Sequence, residues 1–395
     1  MRRRVGCIAI VILAGAGCGG GKMSGSGSGG AGGTGAGGTA GGNDGGVDGP
    51  GGGGVNAPPD STGFEPFVPD YFIGGCNNFG SAGPVPEAGS PLHGLTVVAT
   101  GLTGMKALEV DGSNAYLAGA STISRLSLAG GASPEVMVTN AMPLATALDA
   151  NNLYWVDASV AGQTTVLRVP LTATGWQAFA GDGGAGQTAT MLAAEPGAPV
   201  APGAYTLSAF TLSAGYLYFG AGNVVWRVST GGGSAQMVVS GIAPTGIAVD
   251  GNNVYLGDDP NEAIQFVTLT GQFAGILQGF SISNATPTQL ATNAGIVYWG
   301  DWFGSIEHAA IANPTNLGGA RTPCGGAGCY PNRLRPGGAG VIWESGDYAC
   351  SSLGTVDATG SKYFATSINV VRGIAVAGNH FYAVNAAGQL LRMDL

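Results

Sequence analysis

The chain has 395 residues, of which only 9% are charged, with 75 Gly and a net charge of −9. That length suffices for one large domain with appendages. The acidic balance argues against a nucleic-acid surface and against a basic patch for anionic membranes.

The first 18 residues read as a targeting segment. Arg2, Arg3 and Arg4 precede an apolar run over residues 5–14, which is too short to span a bilayer. The run leads through Leu13, Ala14, Gly15, Ala16 and Gly17 to Cys18. This resembles a bacterial lipoprotein signal. The resemblance implies that Cys18 is lipidated and becomes the new N-terminus, with cleaved secretion as the alternative. Gly19 in place of Asp implies, on the same resemblance, the outer membrane or cell surface. Cys7, inside the apolar run, is a passenger.

Residues 19–56 are low-complexity, with Gly at over half the positions. Such a composition cannot bury enough apolar area to offset the entropy of ordering. A coil of this length has a root-mean-square span of roughly 35 Å and reads as a tether. Residues 57–94 form an irregular lead-in to a domain at 95–395.

That domain is built from a motif that recurs seven times: VDGSNAYLA at 110–118, LDANNLYWV at 148–156, LSAGYLYFG at 212–220, VDGNNVYLG at 249–257, TNAGIVYWG at 292–300, PGGAGVIWE at 336–344 and VAGNHFYAV at 376–384. The anchor position holds Tyr116, Tyr154, Tyr218, Tyr255, Tyr298, Ile342 and Tyr382, spaced 37–44 residues apart except for one gap of 64. Alternation of short apolar runs with Asp-Gly or Gly-Gly turns at this spacing is hairpin chemistry. A period near 40 with four short strands per copy predicts an all-β, single β-propeller, with seven four-stranded blades, six or eight being the alternatives because the sixth copy diverges and has Ile342 in place of Tyr. The last copy stops after its third strand at Leu395, and a spare apolar strand lies ahead of the first copy at residues 95–99. Pairing the two closes the ring and removes an open edge. The 64-residue gap contains residues 176–205, rich in Gly and Pro, which read as a long loop on one face.

The second strands carry Tyr-Trp-Val-Asp at 154–157, Tyr-Trp-Gly-Asp at 298–301 and Tyr-Leu-Gly-Asp at 255–258. These resemble the YWTD repeats of extracellular propellers and, more loosely, NHL-type repeats. The resemblance implies that Tyr154, Trp155, Tyr298 and Trp299 pack between neighbouring blades, and that Asp157 and Asp301 tie backbone groups of adjacent blades.

The remaining candidates for chemistry are few. Asp111, Asp149 and Asp250 recur at the end of the inner strand, where an Asp side chain satisfies turn backbone; a carboxylate ring at a channel mouth is the functional alternative. Asp258, Asp259, Asn261 and Glu262 make the densest oxygen cluster, either a solvated turn or a calcium loop. His93, His308 and His380 are paired with no nucleophile. Arg333, Arg335 and Arg372 lie on the inner strands of copies six and seven and form a candidate contact for an acidic ligand, with pairing to Glu344 or Asp347 as the plainer role. Cys76, Cys324, Cys329 and Cys350 number four in an exported domain, which suggests two disulfides. Cys324–Cys329 and Cys76–Cys350 are favoured among three pairings. The C-x4-C spacing suits zinc poorly.

No catalytic constellation, metal set or cofactor motif emerges. The chain therefore reads as a surface-tethered, non-catalytic propeller that binds a protein or polysaccharide through its loop-bearing face. It would touch membrane only through a lipid anchor. A metal-dependent hydrolase or lyase in the central channel, and a structural envelope or matrix component, are the alternatives.

Overall fold

The computed structural model describes residues 91–92, 95–179, 186–197, 209–258, 263–279, 287–301, 305–321, 330–346, 351–357, 359–368 and 370–395. All belong to the unit Ala57–Leu395. The described residues form seven sheets, antiparallel but for one short edge pairing, and no helix. The inner strand of each sheet contacts the inner strand of the next, and that of the seventh returns to the first. The result is a closed seven-bladed β-propeller.

Blade one shows how the sequence builds each unit. Its inner strand is Ala107–Val110, its second Asn114–Ala118, its third Thr122–Ser127 and its outer Glu135–Thr139. Blade two follows with Pro143–Leu148, Asn152–Asp157, Gln163–Pro170 and Thr190–Pro196. The inner strands of blades three to seven are Phe210–Ser213, Pro244–Val249, Pro287–Asn293, Tyr330–Gly337 and Val371–Ala377.

The closure is the one expected. Leu95–Ala99 pairs antiparallel with Leu390–Asp394, the third strand of blade seven, with Thr96 opposite Arg392 and Val97 opposite Leu391. One further pairing lies outside the expectation. Pro91–Leu92 adds a short strand to the outside of the closing strand, so the ordered sheet starts inside the lead-in segment.

The residues expected as a long loop on one face are partly strand. Trp176–Gln177 pairs in parallel with the outer strand of blade one, giving that blade a fifth strand. Thr190–Pro196 is blade two's own outer strand. The rest of the 176–205 stretch, 180–185 and 198–205, lies outside the described residues. The Gly- and Pro-rich residues around them hid two edge strands whose pairing is set by their neighbours rather than by their own side chains.

The core is divided into seven apolar clusters, each shared by two neighbouring blades. The repeated motif explains the division. Side chains alternate across a strand, so the anchor faces the next blade and its successor faces the previous one. Tyr154 packs with Leu217 and Phe219 of blade three, whereas Trp155 packs with Tyr116 and Val138 of blade one. Tyr298 packs with Leu334 of blade six, and Trp299 with Leu277 of blade four. Both faces of every sheet are covered, which is why the second strands are apolar without alternation. Each large side chain fully buried there contributes about 1.5–3 kcal/mol of apolar transfer energy.

Close approach of inner strands demands Gly at two points. A Cβ on Gly373 would lie 2.7 Å from the Leu108 backbone nitrogen, and one on Gly246 would lie 2.8 Å from that of Leu290.

Candidate functional site

The two ends of the second strands carry two repeated polar devices. At the start, Asp111 Oδ1 accepts the amides of Ser113 and Asn114 at 2.6 and 2.7 Å, and Oδ2 accepts the Tyr116 hydroxyl at 2.7 Å. Asp149 does the same with Asn151, Asn152 and Tyr154. Asp250 repeats it with Asn252, Asn253 and Tyr255. Each carboxylate is thus occupied by its own turn and by the anchor of its own blade. Burial raises the Asp111 and Asp149 carboxyls, but the bonds from tyrosine and backbone outweigh it and hold both below the usual value. Burial, reinforced by Asp149, pushes the Tyr154 hydroxyl up to about 12.

At the other end, Asp157 is fully buried. Its Oδ2 accepts the Met142 amide and the Trp155 indole N–H, both at 2.9 Å, and its Oδ1 accepts the Ser159 amide at 2.9 Å. Met142 lies in the link from blade one to blade two, so this carboxylate ties the link to the sheet. Asp301 accepts the Ser305 amide at 2.8 Å. Asp258 is buried and accepts a bond from the Gln265 amide group. It belongs to the second strand Asn253–Asp258 and so departs from the solvated turn expected over 258–262; Asp259, Asn261 and Glu262 lie outside the described residues.

The seven inner strands carry four charged side chains: Glu109, Arg333, Arg335 and Arg372. Arg333 is buried and donates from Nη1 to Glu344 Oε2 at 2.9 Å and to the Val371 carbonyl at 3.2 Å. The Ser351 hydroxyl donates to Glu344 Oε1 at 2.6 Å and accepts the Val371 amide at 3.0 Å. Burial pushes the Glu344 carboxyl up and the Arg333 guanidinium down, and their mutual attraction opposes both shifts. Arg333 is therefore committed to joining blades six and seven rather than exposed to a ligand.

Arg335 reaches from blade six to Glu109 on blade one, Nη2 to Oε1 at 3.3 Å. Blade seven lies between those two, so the ion pair reaches past it. Glu109 Oε1 also accepts the Thr146 hydroxyl at 3.2 Å. Burial raises the Glu109 carboxyl, opposed by Arg335 and Thr146. Beside this pair, a cavity of about 200 Å³ is lined by Thr146, Thr211, Gln289, Thr292 and Arg335 among apolar neighbours. Arg372 is half-buried and forms no hydrogen bond or ion pair with any described residue.

The histidines are scattered. His308 is buried on the third strand of blade five, its ring 5.6 Å from that of Tyr298. Its Nδ1 and the Tyr298 hydroxyl have no partner among the described residues. His380 opens the second strand of blade seven, where Nδ1 lies 2.7 Å from Asp394 Oδ1. His93, Cys18, Cys76, Cys324, Cys329 and Cys350 lie outside the described residues, as does Asp347. Among the described residues no three His, Cys, Asp or Glu side chains gather as a metal set.

Three features escaped the sequence reading. Arg125, Arg168 and Arg227 donate from Nη1 to the carbonyls of Leu171, Thr230 and Leu269 at 2.5, 2.5 and 2.7 Å. Each spans to the following blade. Each also sits directly across the sheet from its anchor, Tyr116, Tyr154 or Tyr218, so a recurring Tyr/Arg pair was the available signal. Glu307 faces Trp299 across the sheet; burial, with Asp301 nearby, pushes its carboxyl up to about 7. Finally, Met191, Met237, Phe273 and Ile276 are 55%, 58%, 65% and 56% exposed on the outer strands of blades two, three and four.

No protein-family model and no curated protein sequence matches this chain. Solved propellers do match in structure. The WD40 β-propeller domain of Doa1 is 13% identical, with 76% of this chain and 96% of that one covered at a TM-score of 0.57. YCF48 bound to D1 peptide is 12% identical, covering 78% and 97% at 0.55. The computationally designed Ika8 protein is 14% identical, covering 76% and 98% at 0.50. At such identities the shared property is the fold.

Proposed function

We propose that this chain is a non-catalytic binding module, exported and held at the outer membrane or cell surface by Cys18 and the Gly-rich 19–56 segment, which engages a protein or polysaccharide partner. The observation that carries the reading is the exposure of four large apolar side chains on the outer strands of three consecutive blades: Met191, Met237, Phe273 and Ile276. Exposed apolar groups grouped in this way on a soluble domain mark interaction sites. Met191 falls within the 176–205 stretch, so the surface adjoins the insertion that first suggested a binding face. The likeness to YCF48, a propeller whose solved structure holds a peptide, is a supporting analogy.

Deleting 176–205 would test this poorly, because it would remove the outer strand of blade two. The better test immobilises the full mature chain and a variant with Met191→Ser, Met237→Ser, Phe273→Ser and Ile276→Ser. Both are exposed to solubilised envelope and extracellular matrix of the source cells. A saturable partner retained by the wild type and lost by the variant supports the reading. Equal retention by both, with unchanged melting temperatures, refutes it. Labelling with a lipid precursor, compared with Cys18→Ser, tests the anchor separately.

A further inference from the structure

Blades one and seven each carry a strand beyond their fourth, and blade one shows how such a strand is held. Its outer strand, Glu135–Thr139, runs in parallel beside Trp176–Gln177, which comes from the connection between the third and outer strands of blade two. Val138 lies opposite Trp176, and Thr139 opposite Gln177. The Val136 carbonyl accepts the Gly175 amide at 3.1 Å, and the Thr139 carbonyl accepts the Ala178 amide at 2.9 Å. The Thr139 hydroxyl donates to the Trp176 carbonyl at 3.3 Å. With this segment in place Val138 is fully buried, and Trp176 packs against the cluster of Tyr116, Ile123, Met137 and Val138.

Blade three repeats that edge without the added segment. Its outer strand, Gln236–Ser240, reads Gln-Met-Val-Val-Ser where blade one reads Glu-Val-Met-Val-Thr. The register on the third strand is the same, with the bulge at Val238 in blade three and at Met137 in blade one. Val239 therefore stands where Val138 does, and Ser240 where Thr139 does. The cluster beneath also corresponds, with Tyr218, Val225 and Val238 in place of Tyr116, Ile123 and Met137. Here, however, the sheet of described strands ends at Gln236–Ser240. Val239 is only half-buried and Ser240 is exposed. In blade four the corresponding connection is a turn at 269–272, whose Gly271 abuts the Val238 carbonyl and leaves Ser240 exposed.

Open edges are commonly blunted by charge, proline or bulges. The outer strand of blade two carries Glu195 and Pro196, that of blade five Pro314 and that of blade six Lys362, while that of blade four is bulged twice. The strand Gln236–Ser240 has neither charge nor proline. We propose that the outer edge of blade three is a strand-addition site for a protein partner. An extended, uncharged segment of the partner runs parallel to Gln236–Ser240, bonds the Ser240 backbone and hydroxyl, and sets a large apolar side chain beside Val239 as Trp176 sits beside Val138. The occupant's chemistry follows from the chain's own Gly-Trp-Gln-Ala segment and from the lack of charge on the edge it meets. The inference rests on the binding-module reading and makes the partner an extended peptide rather than a polysaccharide.

Fluorescence anisotropy of the full chain with labelled acetyl-Thr-Gly-Trp-Gln-Ala-Phe-amide, a copy of residues 174–179, tests the assignment. One saturable site is expected. The same peptide with Pro in place of Ala lacks the amide that Ala178 gives to Thr139 and should bind weaker by about tenfold or more. Ser240→Ala removes only an exposed hydroxyl and should weaken the peptide about two- to threefold; Ser240→Pro also removes the outward amide and should weaken it about tenfold. Hydrogen exchange of the Ser240 amide should slow when the peptide is bound. Absence of saturable binding, equal binding of the two peptides, Ser240 variants that bind as the wild type, or binding that leaves Ser240 exchange unchanged would overturn the proposal. Self-association abolished by Ser240→Pro, with no peptide bound, would give the edge to a second copy of this chain and overturn it as well. Envelope capture that survives Ser240→Pro but is lost by the four-serine variant would sink this inference and leave the binding-module reading standing.

Discussion

Leu95→Ala tests the closure of the ring. Leu95 is fully buried between blades six and seven, against Ile342, Leu353, Val371, Ile374, Phe381 and Leu391. It also sits on the strand that joins one end of the domain to the other. Truncating a buried Leu costs about 2–5 kcal/mol, made up of lost transfer energy and the cavity that remains. The upper half of that range applies here, because the pocket walls come from two blades and the closing strand itself and cannot collapse together without shifting the sheet. The assay is urea denaturation followed by tryptophan fluorescence, with Leu395→Ala as the control. Leu395 is half-exposed just past the third strand of the same blade and should change stability by no more than about 0.5 kcal/mol. Hydrogen exchange of the Leu390, Leu391 and Arg392 amides should accelerate in the Leu95 variant, since its strand pairs with theirs. A loss below about 1 kcal/mol with unchanged exchange would mean that the N-terminal strand is only loosely applied and that blade seven stands without it.

Three further outcomes follow from the geometry. Tyr154→Phe removes the hydroxyl bond to Asp149 and should cost about 1 kcal/mol at neutral pH. Because the Asp149 carboxyl is held below 3.8, its contribution is present above that value and lost as pH falls through the folded pKa; in the Phe variant acid unfolding should therefore begin at higher pH, monitored by circular dichroism. The same hydroxyl, raised to about 12, stabilises below pH 10 and ceases to do so as pH climbs from 10 to about 12, so the Phe variant should lose that part of the alkaline transition. Glu307→Gln should have the opposite sign: a carboxyl raised from 4.5 to about 7 weakens the fold as pH rises between those values, so the Gln variant should match the wild type at pH 4 and exceed it by about 2–3 kcal/mol at pH 8. Equal stability at both pH values would show that Glu307 is not penalised by burial. Gly373→Val should force blades one and seven apart, since even a Cβ would lie 2.7 Å from the Leu108 backbone nitrogen; a loss of several degrees in melting temperature is expected, and an unchanged value would contradict the close approach.

The repeated motif was legible because each copy faces the same physical problem. Every second strand is sandwiched between two blades, so Tyr154 and Trp155 must both be large and apolar although they point in opposite directions. The turns were legible because Asp111, Asp149 and Asp250 satisfy neighbouring backbone, a task decided within three residues. Blade count and closure followed from the same local evidence, by matching a missing outer strand with a spare one. Local residues carry no such signal where a segment's state depends on its neighbours. Trp176 and Thr190 lie among residues that resemble a loop, and only the exposed edges of blades one and two recruit them into sheets.

Sequence alone thus determined the architecture of this protein, since periodic spacing, turn residues and paired aromatics are local consequences of stacking sheets in a ring. Tertiary structure alone decided what the charged side chains do. Arg333, Arg335 and Arg372 look equivalent along the chain, yet the first is buried against Glu344, the second reaches past blade seven to Glu109, 226 residues away, and the third forms no ion pair among the described residues. The strength and availability of a charge depend on burial and on partners brought from distant blades, and neither is encoded in the residues that flank it.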